Sequence, residues 1–377
     1  MIYFDNCATT PLHPEVLDAM LPFLQQEYGN PSSKYYPLAE NAKNAVSYAR
    51  EKIAMLLNCI PEEVVFTSGA TESNNMILKG IADPFWGTER QIITSKTEHS
   101  SVLDTVHHLR SKGFHIEVMD VDRFGRVSIE KLKELVSSNS RTTLMVSILW
   151  GNNELGTLNN IKEIAEFCQN HSISIHSDAT QVVGKMKIDL DDLPLQFLSL
   201  SSHKLHGPKG IGAAIIKKDK LGIRTPITPL LHGGGQEFGY RSGTLNVPAI
   251  VGFGKAAEIA NRDLESNIRH LEFLDTYFIS KLQQHFSEIL HFNSNSSPKL
   301  PGILNIRFAG IHNELLIKKI AAHVAISSGS ACSSSKPSHV LQSIGCSLDE
   351  VRSSIRVSFS KYNNIEEIDT FINLLSS

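Results

Sequence analysis

The sequence predicts an α/β fold, a large domain with a mostly parallel sheet covered by helices plus a smaller α+β C-terminal domain. Helical and strand patterns alternate from about residue 37 to 217, then change after about residue 255. Alternation of that length builds a parallel sheet wound with helices. At 377 residues and 41% hydrophobic content, the chain can bury a full core and divide into two lobes. The expected division is a large domain over 15–255 and a small one made of 1–14 and 256–377.

Ala39, Ala42, Val46, Ala49, Ile53 and Leu56 recur at helical spacing, so they predict an amphipathic helix. Val64–Thr67 is a short strand, followed by the small-residue turn Ser68–Thr71 and a helical run through Leu78. Gln91–Thr94 is a strand, and Val102, Val106 and Leu109 mark a helix that Gly113 should end. His115–Val118 and Leu144–Leu149 continue the sheet. A helix near Ile161–Gln169 leads to a strand over Ser172–His176, and Phe197–Leu200 and Ile211–Ile216 read as buried strands. Beyond residue 255 come a long helical stretch, a strand (Ile303–Phe308), a helix (Asn313–Ala321) and a short strand (Val324–Ser327). A strand at Ser354–Phe359 and a helix at Ile365–Leu375 close the chain. No internal repeat is visible.

The net charge of −3 with interspersed signs gives no nucleic-acid footprint and no anionic-membrane patch. The five cysteines (Cys7, Cys59, Cys168, Cys332 and Cys346) are odd in number and lack Cys-x-x-Cys spacing. That argues against a disulfide framework or a zinc site and suits a reducing cytoplasm. The start at Met1–Asn6 lacks the basic, then apolar, pattern of a signal peptide, and no stretch reaches membrane-spanning length. A cytoplasmic protein is expected.

The chemistry gathers at predicted strand ends, where α/β sheets bind ligands. Lys204, in Ser201-Ser202-His203-Lys204, follows the strand Phe197–Leu200. An amine there can form a Schiff base with an aldehyde cofactor if desolvation lowers its pKa; a surface lysine after a strand is the plainer alternative. Asp178, beyond the strand Ser172–His176, is placed to keep a pyridoxal ring nitrogen protonated, or to cap a helix. Gln181, three residues on, shares its side if that turn is helical and could bond the cofactor's phenolic oxygen. Ser68-Gly69-Ala70-Thr71, between strand and helix, is a phosphate cradle: Gly69 allows close approach, the helix start offers N–H groups and Thr71 adds a hydroxyl. Ser201 and His203 could add phosphate contacts. His99 follows another strand and could stack on a ring and shuttle protons, or be structural. Asn153 lies at the same rim. Alternation puts Arg356 on the face opposite Ile355, Val357 and Phe359, suited to a carboxylate or to an interlobe salt bridge. Finally, Ser327-Ser328-Gly329-Ser330-Ala331-Cys332-Ser333-Ser334-Ser335 is too polar and small-residued for a stable helix or packed strand. It is expected to be a mobile tether for Cys332, although an incidental cysteine in a Ser-rich loop would read the same way.

Taken together, these segments resemble a cysteine desulfurase of the NifS/IscS type, within the class V aminotransferase family. The resemblance runs nearly end to end and is most specific in Ser202–Gly210 and around Cys332. It implies a fold-type I pyridoxal-phosphate enzyme, a homodimer with its active site at the subunit interface, and L-cysteine as substrate. By that resemblance Lys204 carries pyridoxal 5′-phosphate, Asp178 pairs with the ring nitrogen, His99 stacks on the ring and Gln181 contacts the phenolic oxygen. Ala70, Thr71, Ser201 and His203 match phosphate binders, with Thr244 reaching the partner subunit's phosphate. Asn153 matches a cofactor and substrate contact, Arg356 the substrate-carboxylate anchor, and Cys332 the nucleophile that takes sulfur as a persulfide for a protein acceptor. A selenocysteine lyase, a cysteine-sulfinate desulfinase, a class V transaminase and a non-enzymatic scaffold are the rival readings. The stretch after Cys332 is shorter than in housekeeping members and the chain ends soon after its last helix. A specialised pathway such as nitrogenase maturation or DNA phosphorothioation is therefore an open expectation beside general cluster assembly.

Overall fold

The computed structural model describes residues 1–138, 142–219, 221–294, 297–329 and 337–376. In chain order the elements begin β1 (Ile2–Tyr3), α1 (Pro14–Gln25), α2 (Pro37–Leu57), β2 (Val64–Thr67), α3 (Ala70–Ala82) and β3 (Gln91–Ser95). Then follow α4 (Ser100–Arg110), β4 (His115–Met119), α5 (Ile129–Ser137), β5 (Thr143–Ser147), α6 (Ile161–Asn170), β6 (Ser174–Asp178), β7 (Phe197–Ser201) and β8 (Gly212–Ile216). The remainder is α7 (Val247–Phe286), β9 (Leu290–Phe292), β10 (Ile303–Phe308), α8 (Asn313–Ile320), β11 (Val324–Ala325), α9 (His339–Ser343), α10 (Leu348–Arg352), β12 (Ser354–Ser358) and α11 (Ile365–Ser376).

The main sheet has seven strands in the order β2-β8-β7-β6-β5-β3-β4. Strands β3 to β7 pair in parallel, while β8 runs antiparallel to both β7 and β2. The carboxyl ends of β2, β3, β5, β6 and β7 therefore open on one rim. Alternation sorts the strands' side chains onto two cores. Val64, Phe66, Ala213 and Ile215 face α2, α6 and α7, whereas Val65, Ala214 and Ile216 face α3 and α4. α2 forms because Pro37 sits at its start and the residues from Ala39 to Leu56 bury one face; Asn58, left-handed at φ 49°, ends it. A third core joins Phe4 to Leu271, Leu274 and Phe278 of α7, to Ile355 and Val357 of β12 and to Phe371. It packs on a three-stranded antiparallel sheet ordered β12-β10-β9.

Several expectations shift. Strand β6 covers Ser174–Asp178 rather than Ser172–His176, because Ser172 turns through φ 55° and Ile173 still bonds back to Cys168 O in α6. Strand β5 ends at Ser147, two residues before Leu149. The long helix α7 runs unbroken through residue 255. Helices α1, α5, α9 and α10 and strands β1 and β9 lie outside the sequence expectations. α5 buries only Leu132 and the others are short or proline-interrupted, so their periodic signal is weak.

Candidate active site

The rim of the sheet forms one wall of a cavity of about 550 Å³. It is lined by residues from every segment singled out at the strand ends: Gly69, Ala70 and Thr71; His99; Asn153; Asp178 and Gln181; Ser201, His203 and Lys204; and Arg356.

Lys204 sits in the single 3₁₀ turn that follows β7. Its Nζ donates to Cys7 O at 2.5 Å and Ala8 O at 2.7 Å, so the N-terminal segment forms a lid over the amine. Burial, opposed by the Cys7 thiol and reinforced by Lys185 and Arg356, lowers its pKa to about 8. A buried amine with a lowered pKa fits an imine-forming lysine better than a surface one. Asp178 is the last residue of β6 and is 3% exposed. Its Oδ2 accepts from Asn74 Nδ2 at 2.8 Å and its Oδ1 from Thr180 N at 2.9 Å, which fixes the carboxylate at the cavity floor. The capping alternative is thus also realised, in a turn rather than a helix.

His99 caps α4. Its Nδ1 accepts from Ser101 N at 3.1 Å, which leaves the ring proton on Nε2. His203 has its pKa lowered to about 4, mainly by burial and then by Lys204 and Lys209, so its ring is neutral. Its Nδ1 lies 3.1 Å from Thr9 Oγ1. Gln181 lines the cavity, but its amide is engaged: Nε2 donates to Cys7 O at 3.0 Å and Oε1 accepts from Lys185 Nζ at 2.8 Å.

The turn before α3 brings backbone close to the neighbouring strand. Gly69 adopts φ 154°, and a Cβ built on Gly212 would stand 2.7 Å from Gly69 Cα and 2.5 Å from Leu200 O. The first N–H groups of α3 have no partner within the helix. A Cβ on Gly69 would point toward Ser201 Oγ at 3.8 Å, so the missing side chain leaves the space between helix start and Ser201 open. With a basic amine, a fixed carboxylate and an anion cradle around one cavity, the residues present fit pyridoxal 5′-phosphate.

Arg356, on β12, is 1% exposed. Its Nη2 donates to Asp5 Oδ1 at 2.6 Å and its Nη1 to Asn153 O at 3.0 Å. Arg356 lines the cavity and pairs with Asp5 of the N-terminal segment, a residue grouped with the same small lobe, so this ion pair is not an interlobe one. The face opposite Ile355 and Val357 is not solvent but this polar interior. Thr244 is exposed and lies outside the lining of this chain's own cavity. Cys332 lies outside the described residues.

Reading strand ends in sequence missed three features. Cys7, Ala8 and Thr9 wall the cavity from the far N-terminus, and nothing local in the sequence marks them as a lid. Asn74 supports Asp178 from α3. Glu98 is fully buried with its pKa pushed to about 8, mainly by burial; Ser95 Oγ and Leu149 N bond its Oε1 at 2.6 and 2.8 Å.

Comparison with known proteins agrees with this geometry. The family model for aminotransferase class V matches residues 2–371. The chain is 40% identical over 378 residues to a cysteine desulfurase IscS of Rickettsia rickettsii, covering all of this chain and 90% of that protein. A solved NifS-like protein superposes with a TM-score of 0.91 at 37% identity, covering 100% of this chain and 98% of that one. The structure of SspA in complex with cysteine gives 0.83 at 36% identity, covering 97% and 100%. On the cavity, the fold and this end-to-end match, the chain belongs to the class V aminotransferase family, among its IscS- and NifS-like cysteine desulfurases.

Proposed function

We propose that this cysteine desulfurase converts L-cysteine to L-alanine with covalently held pyridoxal 5′-phosphate and forms a persulfide on Cys332 for a protein acceptor. The observation that carries the reading is the convergence of Lys204, Asp178, His99 and the Gly69 cradle on one cavity that Arg356 closes. The family is pyridoxal-phosphate dependent. Bound here, the cofactor would supply an electron sink for the substrate's α and β carbons.

Lys204 would hold the cofactor, Asp178 would keep its ring nitrogen protonated, His99 would cover the ring and Gln181 would meet its phenolic oxygen. Ala70, Thr71, Ser201 and His203 would bind the phosphate. Arg356 would anchor the substrate carboxylate beside Asn153. Released from the cofactor, Lys204 would take a proton from the substrate α carbon and return it nearby, a task that burial favours by lowering the amine's pKa. His99 carries its ring proton on Nε2 and can offer it as a hydrogen bond. The Cys332 thiolate would attack the substrate sulfur; an S–S bond forms as the C–S bond breaks. The carbon keeps that electron pair, takes up a proton and leaves as alanine, so the sulfur is oxidised and the carbon reduced.

A homodimer, with Thr244 reaching the partner subunit's phosphate, is supported by that residue's exposure away from its own cavity. Cytoplasmic location is supported by four free thiols at Cys7, Cys59, Cys168 and Cys346. Among the described residues no helix is long and apolar enough to cross a membrane. The deciding experiment is Cys332→Ser, which should keep the bound cofactor's visible absorption and lose sulfide release from cysteine. Undiminished desulfuration by that variant removes the thiol step.

A further inference from the structure

The carboxylate of Glu154, one residue beyond the cavity-lining Asn153, is buried and only 3% exposed. Its Oε2 accepts from Ser338 Oγ at 2.5 Å. That same oxygen would stand 2.7 Å from a Cβ on Gly329, a residue at φ 101°, so the carboxylate lies directly against the Gly329 backbone. Gly329 and Ser338 lie on either side of Cys332, three positions before and six after it. Each flank is tied further to the site. Arg356 Nη1 donates to Gly329 O at 3.4 Å, and the Arg356 amide donates to Ser327 O at 2.6 Å. Ser338 Oγ also accepts from Leu341 N at 3.1 Å, starting α9, whose Val340 and Leu341 pack on Leu155.

We propose that Glu154 is a positioning residue that clasps both flanks of the Cys332 segment to the substrate-binding wall. The proposal rests on the role assigned to Cys332 above. A carboxylate buried so deeply is costly unless it is bonded. Burial raises its pKa, and the Ser338 hydroxyl, then Arg356 and His339, offset only part of that rise. A group with only a packing duty would be better served by an apolar side chain of similar volume.

The test uses the cofactor-loaded enzyme and four variants: Glu154→Gln, Ser338→Ala, Ser338→Thr and Cys332→Ser. Three quantities are read: cofactor absorption and its response to cysteine, KM, and the single-turnover rate of persulfide formation on Cys332 by intact-protein mass. Glu154→Gln and Ser338→Ala should load cofactor normally and keep KM within about twofold, yet form persulfide at least about tenfold more slowly. Ser338→Thr keeps the hydroxyl and should restore the rate. Wild-type persulfide rates in Glu154→Gln or Ser338→Ala overturn the clasp. So does a threonine variant as slow as the alanine one, or a parallel loss of cofactor and rate. Should Glu154→Gln fail to fold, the Ser338 pair decides alone. Desulfuration that persists in Cys332→Ser overturns the reading of Cys332 itself, a result distinguishable from failure of the clasp.

Discussion

Lys204 carries opposing influences in one side chain. The carbonyl oxygens of Cys7 and Ala8 accept from its amine and favour the charged form, while burial favours the neutral one and prevails, leaving a pKa of about 8. The neutral amine is the nucleophile toward an aldehyde, and its fraction grows about tenfold per pH unit below the pKa, then saturates. Adding pyridoxal 5′-phosphate to cofactor-free protein should therefore give an adduct at Lys204 whose formation rate climbs up to about pH 8 and levels off above it. Borohydride trapping and peptide mass analysis measure this. A flat profile, or trapping at another lysine in Lys204→Ala, refutes the assignment. Arg356 shows why a local reading could not name its partner: Asp5 lies hundreds of positions away, and the same guanidinium reaches the cavity.

The phosphate cradle depends on how closely β8 passes the turn before α3. Gly212 has no room for a methyl group, since a Cβ there would meet Leu200 O and Gly69 Cα. Gly212→Ala should force β8 away from β7 and distort the cradle, at about 1–3 kcal/mol of stability by overpacking. Thermal melts and a cofactor titration measure both effects, and an unchanged Tm with unchanged cofactor affinity contradicts the account. Elsewhere the elements that were legible are those with long, regular apolar patterns, such as α2 and β2. The two-residue shift of β6 arose because Ser172 takes a left-handed turn to close α6, a conformation that an apolar-polar pattern does not encode.

Two features of the assembled protein look outward. Thr244 is exposed and away from its own chain's cavity, and Leu17, Leu21 and Leu24 form an exposed apolar row on α1. Both support a subunit face. A mixed dimer pairing a Thr244→Ala chain with a Lys204→Ala chain offers the sharpest check. If Thr244 serves the partner subunit, the one remaining lysine meets an intact threonine from the other chain. That site should then bind cofactor covalently with wild-type affinity, while the Thr244→Ala homodimer binds several-fold more weakly. Weak binding in both would place Thr244 in its own site, and a monomer in sedimentation would remove the shared site altogether.

Periodicity and turn chemistry are local, and they were enough to locate the central strands along the chain and to put Asp178, Lys204, His99 and Gly69 near one rim, because parallel strands present their carboxyl ends together. The closure of that rim was not local. Cys7 to Thr9 over Lys204, Asn74 under Asp178, Arg356 against Asn153, and Glu154 between Gly329 and Ser338 each join segments far apart in sequence. Such contacts leave no repeating pattern along the chain; only packing of the N-terminal segment and the C-terminal sheet onto the rim brings them together.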